Sequence, residues 1–221
     1  MDATAAVPAE NLQPGFALVG VGGDELTGFG ADLFGDQNVF IVGGTARSGR
    51  SSLLSSMAHS LLSNGTEVVI LAPRLSPLRD LEGVKGVRGV LTGETVTDEE
   101  LTALVPEGTS NVVVIVDDAQ LHKESADATF RSIMSTGRDN RIGLVVAGLL
   151  DEFGSGFRGW QIDAKKARRG VLLNPQSIVD GELIGTKLSR SVVGKQTRPG
   201  LGLFHGSDLT VRELRIPFDT K

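Results

Sequence analysis

Short runs of β-branched and other apolar residues recur along the chain, separated by helix-spaced stretches or by glycine and proline. Runs of this kind bounded by turn residues predict β-strands. They cover residues 16–21, 26–33, 39–42, 67–71, 87–91, 112–116, 142–147, 171–173, 202–205 and 210–216. The run at 112–116 is entirely aliphatic, which is typical of a strand buried on both faces inside a parallel sheet.

Helical spacing follows three of these strands. After residue 50, apolar residues recur on one face and Asn64-Gly65 ends the pattern; they are Leu53, Leu54, Met57, Ala58, Leu61 and Leu62. Thr97 and Glu100 form a capping box that starts a short helix reaching Val105. Residues 125–136 predict a third helix, which Gly137 ends. The order of elements predicts an α/β fold with a mostly parallel central sheet flanked by helices, and antiparallel hairpins at the edges.

The loop after the strand at 39–42 has the spacing of a phosphate-binding P-loop, Gly, four residues, then Gly-Lys-Ser/Thr. That consensus aligns with Gly44, Thr45, Ala46, Arg47, Ser48, Gly49, Arg50 and Ser51, and Ser52 follows in the helix. Glycines let the backbone curl around a phosphate, and the helix presents free N–H groups to the same anion. These residues therefore predict a nucleotide site, with the hydroxyl of Ser51 directed to Mg²⁺.

Arg50 departs from that consensus, because it stands where lysine is expected. A guanidinium is planar and bulkier than an ammonium, so we expect altered or lost nucleotide binding and weak or absent hydrolysis. The alternative interpretation is a glycine-rich strand-to-helix turn without a chemical role.

Two carboxylates, Asp117 and Asp118, follow the aliphatic strand, at the end where ligands bind in open α/β sheets. The pattern is similar to a Walker B motif, in which Asp117 holds magnesium through water and Asp118 polarises the attacking water. Alternatively, both residues only end the strand and cap the next helix. Asp118 is one methylene shorter than the glutamate usual at that place. No polar residue lies near Ala147-Gly148, where many P-loop ATPases sense the terminal phosphate.

A basic segment follows the glycine-rich loop at 154–160 and contains Lys165, Lys166, Arg168 and Arg169. We interpret it as a solvated helix end. The alternatives are an arginine that reaches a neighbouring subunit's nucleotide, or a patch for an acidic ligand.

Composition narrows the function. The chain has 221 residues and a formal net charge of −5, which argues against a generally basic nucleic-acid-binding surface. It lacks cysteine, and its three histidines, His59, His122 and His205, are predicted to lie at the surface rather than to form a metal centre. No apolar stretch approaches the ~20 residues that span a bilayer. Residues 1–14 are predicted to be a flexible linker and 15–218 one domain, a piece of a larger protein.

Taken together, residues 30–54, the segment VVVIVDD, Gly159-Trp160 and residues 167–188 resemble the FtsK/SpoIIIE superfamily of P-loop ATPases. The likeness is greatest to EccC, the membrane-anchored ATPase of type VII secretion, whose C-terminal domains often carry an altered P-loop. The P-loop and the acidic strand end are generic, whereas the block ARRGVLLNPQSIVDGELIGTKL is more specific.

The resemblance implies a RecA-like domain that binds ATP and Mg²⁺ with little turnover. It assigns phosphate binding to the P-loop residues Gly44, Gly49, Arg50, Ser51 and Ser52, with Asp117 beside the metal and Asp118 beside the attacking water. The implied partners are ATP, other ATPase domains of the same chain or ring, and small helical-hairpin secretion substrates; nucleic acid is not expected. The implied location is the cytoplasmic part of a membrane-anchored bacterial protein. Two alternatives stay open, an active DNA translocase motor and a docking module that no longer binds nucleotide.

Overall fold

The computed structural model describes residues 13–122, 126–155, 159–194 and 200–216, and all of their side chains except those of residues 153–155. The predicted linker at 1–14 lies almost wholly outside the described residues. Within them, ten strands form one sheet: β1 (Phe16–Gly22), β2 (Thr27–Asp32), β3 (Val39–Gly44), β4 (Glu67–Leu71), β5 (Val87–Leu91), β6 (Val112–Val116), β7 (Ile142–Leu149), β8 (Gly170–Leu173), β9 (Leu201–His205) and β10 (Val211–Arg215).

The strand order is β2-β1-β10-β9-β8-β3-β7-β6-β4-β5. All neighbours from β8 to β5 are parallel, and all neighbours from β2 to β8 are antiparallel. The predicted α/β class, the parallel centre and both hairpins are therefore confirmed. Of these six parallel strands, β3, β4, β6, β7 and β8 end at the same edge of the sheet, so the loops that follow them lie together.

In the described part of the chain, five α-helices accompany the sheet: α1 (Arg50–Ser63), α2 (Asp98–Leu104), α3 (Asp127–Asn140), α4 (Leu150–Ser155) and α5 (Trp160–Ala164). Helix α1 begins directly at the predicted P-loop, and five of its six predicted apolar positions are fully buried; Leu62 is partly buried. The capping box of α2 is present, since Thr97 Oγ1 accepts from Glu100 N and Glu100 Oε2 accepts from Thr97 N.

The central strands separate two clusters of buried apolar side chains, one on each face of the sheet. Strand β6 contributes Val112, Val114 and Val116 to one cluster and Val113 and Ile115 to the other. A strand whose alternate residues enter two different cores must be apolar throughout, which accounts for the uninterrupted aliphatic run.

Three predictions about local structure are wrong. Helix α3 does not end at Gly137 but continues to Asn140, since Arg141 takes the left-handed conformation that ends it. His122 and His205 are buried; Trp160 Nε1 donates to His122 O at 3.1 Å, and His205 Nδ1 lies 3.1 Å from Arg168 O. The interpretation of the basic segment as solvated fails for Arg169, which is only 8% exposed.

Among the described residues, no helix combines the length and the apolar character that crossing a bilayer requires.

Candidate functional site

The loop between β3 and α1 has the backbone of an anion cradle. Gly49 precedes the helix with φ +96°, a conformation that favours glycine. A Cβ on Gly44 would lie 2.3 Å from Ser48 Oγ, so that position also excludes a side chain. No side chain caps the N-terminus of α1. The first-turn N–H groups of a 14-residue helix are therefore available to an anion in this loop.

Ser51 and Asp117 are brought together at the start of α1 and the end of β6. Ser51 Oγ donates a hydrogen bond of 2.6 Å to Asp117 Oδ2, and Asp117 Oδ1 accepts from the backbone N of Asp118. Burial raises the pKa of Asp117 against the opposing effect of the Ser51 hydrogen bond, and the nearby charge of Asp118 raises it further. A buried carboxylate beside a hydroxyl is an oxygen donor set that suits Mg²⁺.

Arg50 turns back onto its own loop. Its Nη1 donates to the carbonyl oxygens of Gly44 at 2.9 Å and Thr45 at 2.7 Å, and its Nη2 donates to Asp118 Oδ1 at 3.0 Å. The side chain is only 10% exposed. The guanidinium thus bridges the P-loop backbone and the acidic strand end, which the planar fork of arginine allows and the single ammonium of lysine does not reproduce.

Asp118 is the most heavily engaged acid of the site. Besides Arg50, Gln120 Nε2 donates to its Oδ1 at 3.0 Å, and Arg74 Nε lies 3.8 Å from its Oδ2. The residue itself has φ +47°, so the backbone turns sharply after β6. Both hydrogen bonds fall on Oδ1, so Arg50 and Gln120 fix the orientation of this carboxylate and occupy one of its two oxygens.

The other predicted P-loop residues differ in how exposed they are. Ala46 and Arg47 are exposed at its tip, and Thr45, Ser48 and Ser52 are partly buried. Ser48 Oγ has no hydrogen-bond partner among the described residues. The loop, Ser51, Asp117 and Asp118 form one site, although they come from two separated segments of the chain.

Three further polar side chains reach the site and were not predicted. Arg74 follows β4, Gln120 follows β6, and Asn174 follows β8, where its Nδ2 donates to Thr45 Oγ1 at 3.1 Å. Gln120 Oε1 also accepts from Leu149 N at 3.4 Å, so a polar group does reach the end of β7 from the neighbouring strand. The sequence feature that could have indicated these three residues is their position directly after parallel strands.

No family model and no curated protein matches the sequence, but solved structures share its fold. The cytoplasmic domain of the Thermomonospora curvata type VII secretion ATPase EccC aligns with a TM-score of 0.73 at 16% identity, over 94% of this chain and 27% of that one. ATPases 2 and 3 of that EccC, solved with a signal sequence peptide, align with a TM-score of 0.71 at 16% identity, over 97% of this chain and 42% of that one.

The monomer of the conjugation coupling protein TcpA of pCW3, solved with ATPγS, aligns with a TM-score of 0.60 at 13% identity, over 96% of this chain and 68% of that one. The chain therefore has the RecA-like P-loop fold of the EccC ATPase domains, which confirms the predicted resemblance at the level of fold. It spans less than half the length of the two EccC chains.

Proposed function

We propose that the chain is a nucleotide-binding ATPase domain of the type VII secretion kind that does not turn ATP over at a useful rate. The observation that carries the proposal is the bridge made by Arg50, which ties the P-loop carbonyls to Asp118.

Binding of ATP and Mg²⁺ is supported by the loop and by Ser51 with Asp117. The N-terminus of α1 and the glycine-rich backbone would hold the phosphates, and Ser51 and Asp117 would hold the metal. Bound Mg²⁺ would neutralise charge between the terminal phosphates. Among the solved structures of this fold, TcpA was obtained with ATPγS, which fits a nucleotide role for such a loop.

Loss of hydrolysis is supported by the same bridge. Arg50 and Gln120 hold Oδ1 of Asp118 and Arg74 lies near its Oδ2, so the carboxylate is fixed toward Arg50 and is not free to turn toward an attacking water. Aspartate is in addition shorter than the usual glutamate. The domain would therefore bind nucleotide as a structural or regulatory ligand.

The finer part of the proposal concerns export. EccC ATPases 2 and 3 were solved with a signal sequence peptide, which supports substrate recruitment by domains of this fold. We propose that this domain works beside other ATPase domains of the same chain or ring, on the cytoplasmic side of a membrane-anchored protein. Small helical-hairpin proteins would be its export substrates.

The experiment is calorimetric titration of Mg²⁺·ATP into the natural chain, Arg50→Lys and Arg47→Lys. Arg47 lies exposed in the same loop, so its variant controls for the chemical change alone. We expect the natural chain and the Arg47 variant to bind alike. Arg50→Lys should bind about tenfold more tightly, because the hydrogen bond from Arg50 to Asp118 is lost. Tenfold is the usual effect of one charge-assisted hydrogen bond.

Turnover should remain undetectable in the natural chain. Rapid hydrolysis by it would overturn the proposal and favour the active motor. Binding only by Arg50→Lys would leave a docking module with a retired pocket, and no binding by any of the three proteins would remove the nucleotide hypothesis.

A further inference from the structure

A second cleft lies on the opposite side of the fold from the parallel strands β4 and β5. It has a volume of about 340 Å³ and lies between the β1–β2 hairpin and the turn joining β9 to β10. Its walls include three aromatic rings and four charged side chains: Phe16, Phe29, Phe204, Asp32, Arg169, Asp208 and Arg212.

The sheet register explains why the cleft exists. Strand β1 pairs with β10 only through Val21 and Gly22, at its C-terminal end. The earlier residues of β1 pair with β2 alone, so the hairpin separates from β9 and β10. Glycines at 28, 30 and 206 keep the walls free of further side chains.

Arg169 lines this cleft and is the unusual residue in it. It is 8% exposed, its Nε has no hydrogen-bond partner, and the described residues provide neither a salt bridge nor a hydrogen bond for its guanidinium. Burial lowers the pKa of Arg169, and the carboxylates of Asp32 and Asp36 oppose this from a distance without contacting it. An arginine stays charged in proteins, so a buried one without a direct partner is unfavourable.

The other charges in the cleft are already engaged. Arg212 Nη2 lies 2.5 Å from Asp208 Oδ2, and the guanidinium carbon of Arg212 lies 5.1 Å from the centre of the Phe29 ring. Asp32 accepts from the backbone N of Phe34 and from Gln13. The cleft contains two acids and two arginines. Among these four side chains, Arg169 is the one whose N–H groups have no partner among the described residues.

From these observations we propose that the cleft binds a single anionic group, a carboxylate or a phosphate, attached to a flat apolar body. The guanidinium of Arg169 would take the anion through two parallel hydrogen bonds, and the aromatic walls would contact the apolar part. This site is separate from the P-loop, and nothing in the proposal depends on nucleotide binding.

The test uses phenylacetate and phenyl phosphate as probes, with thermal shift and ligand-observed NMR as readouts. The variants are Arg169→Met, Arg169→Lys and, as the matched control, Arg168→Met, since Arg168 is exposed next door. Binding of phenyl phosphate at the P-loop is recognised because it would be the same in the natural chain and in the Arg169 variants.

We expect the natural chain and Arg168→Met to bind at least one probe. Arg169→Lys should bind about tenfold more weakly and Arg169→Met more weakly still, because lysine cannot form the bidentate contact. Without probe, Arg169→Met should melt at a higher temperature than the natural chain, since it removes a buried unpaired charge. Binding of phenylacetate alone would assign the site to carboxylates, and binding of phenyl phosphate alone, weakened in Arg169→Lys, to phosphates.

Equal binding by the natural chain and Arg169→Lys, or no binding of either probe by the natural chain, would overturn the proposal. The lysine variant keeps the charge, so the test remains decisive even if Arg169→Met does not fold.

Discussion

At the scale of single residues, Asp117 is a site residue whose buried charge lowers the free energy of unfolding. Its carboxyl is 2% exposed, and burial raises its pKa above the ordinary value. The folded state therefore binds the proton of Asp117 more readily than the unfolded state does. The contribution of this group to the free energy of unfolding is favourable at acid pH and is lost as the pH rises through its folded pKa.

Asp117→Asn should consequently raise the free energy of unfolding at pH 7.5. Asparagine can keep both contacts, because its Oδ1 can accept from Asp118 N and its Nδ2 can donate to Ser51 Oγ. The gain should shrink as the pH falls into the range where the natural carboxyl takes up its proton. Urea unfolding at several pH values measures this.

Asp139→Asn is the matched control, because that carboxylate is 79% exposed and should change stability little at any pH. A loss of stability in Asp117→Asn at pH 7.5 would show that the charge, despite its burial, is held favourably by Ser51 and Arg50.

How far the sequence predicts these residues depends on what brings them together. Gly44, Gly49 and Ser51 are positioned by one local strand-loop-helix unit. Their spacing in the sequence therefore predicted that they lie close together. Asp117 needs one more condition, that β6 ends at the same sheet edge, and the aliphatic run indicated it. The contact of Arg50 with Asp118 depends on a side-chain rotamer and on the left-handed backbone at Asp118, and neither leaves a mark in the spacing.

At the scale of elements, Gly137 was interpreted from the sequence as the end of α3, but the helix continues for three more residues. The glycine serves close packing instead. A Cβ at this position would lie 2.4 Å from Ile142 O, the first residue of β7, and 2.4 Å from Asn38 Nδ2. Asn38 Nδ2 in turn donates to Ile133 O and Ile142 O, which joins α3 to β7.

Gly137→Ala should therefore lower the free energy of unfolding by about 1–3 kcal/mol, the usual cost of overpacking. Helix propensity alone predicts the opposite sign, a gain of about 0.5–1 kcal/mol for alanine. Chemical denaturation separates the two. Ser135→Ala on the exposed face of the same helix should stay within about 0.5 kcal/mol of the natural chain. A stabilised Gly137→Ala would mean that α3 can move away from β7 at little cost.

Elements defined by local pattern were predicted well, and their arrangement less completely. The capping box of α2 and the β9–β10 hairpin depend on residues close in sequence. The insertion of that hairpin between β1 and β8 depends on pairings between distant segments, which a single sequence does not reveal. The cleft beside Arg169 results from that insertion, and the local pattern of the basic segment, which predicts a solvated helix end, carries no sign of it.

At the scale of the whole molecule, the distribution of charge bears on whether this chain could be a DNA translocase motor. Many basic side chains are already paired with acids: Arg88 with Glu67, Arg131 with Asp127 and Asp163, Arg138 with Asp139, Lys166 with Asp163, and Arg212 with Asp208. A cation that neutralises a neighbouring carboxylate does not release counterions from DNA unless that pair first separates. The net charge of −5 adds a general repulsion.

This chain should accordingly bind duplex DNA more weakly than about 10⁻⁴ M at physiological salt, the weak end of non-specific binding. Fluorescence anisotropy of a labelled duplex over a salt series measures this affinity. The Asp163→Asn variant tests whether removing an acidic partner of basic side chains raises it. That variant frees Lys166 and leaves Arg131 paired with Asp127 alone, so any DNA affinity it gains should fall steeply with salt. Micromolar affinity of the natural chain with a steep salt dependence would require a basic path for the duplex and would favour the translocase motor. Weak binding at every salt concentration would count against the translocase motor.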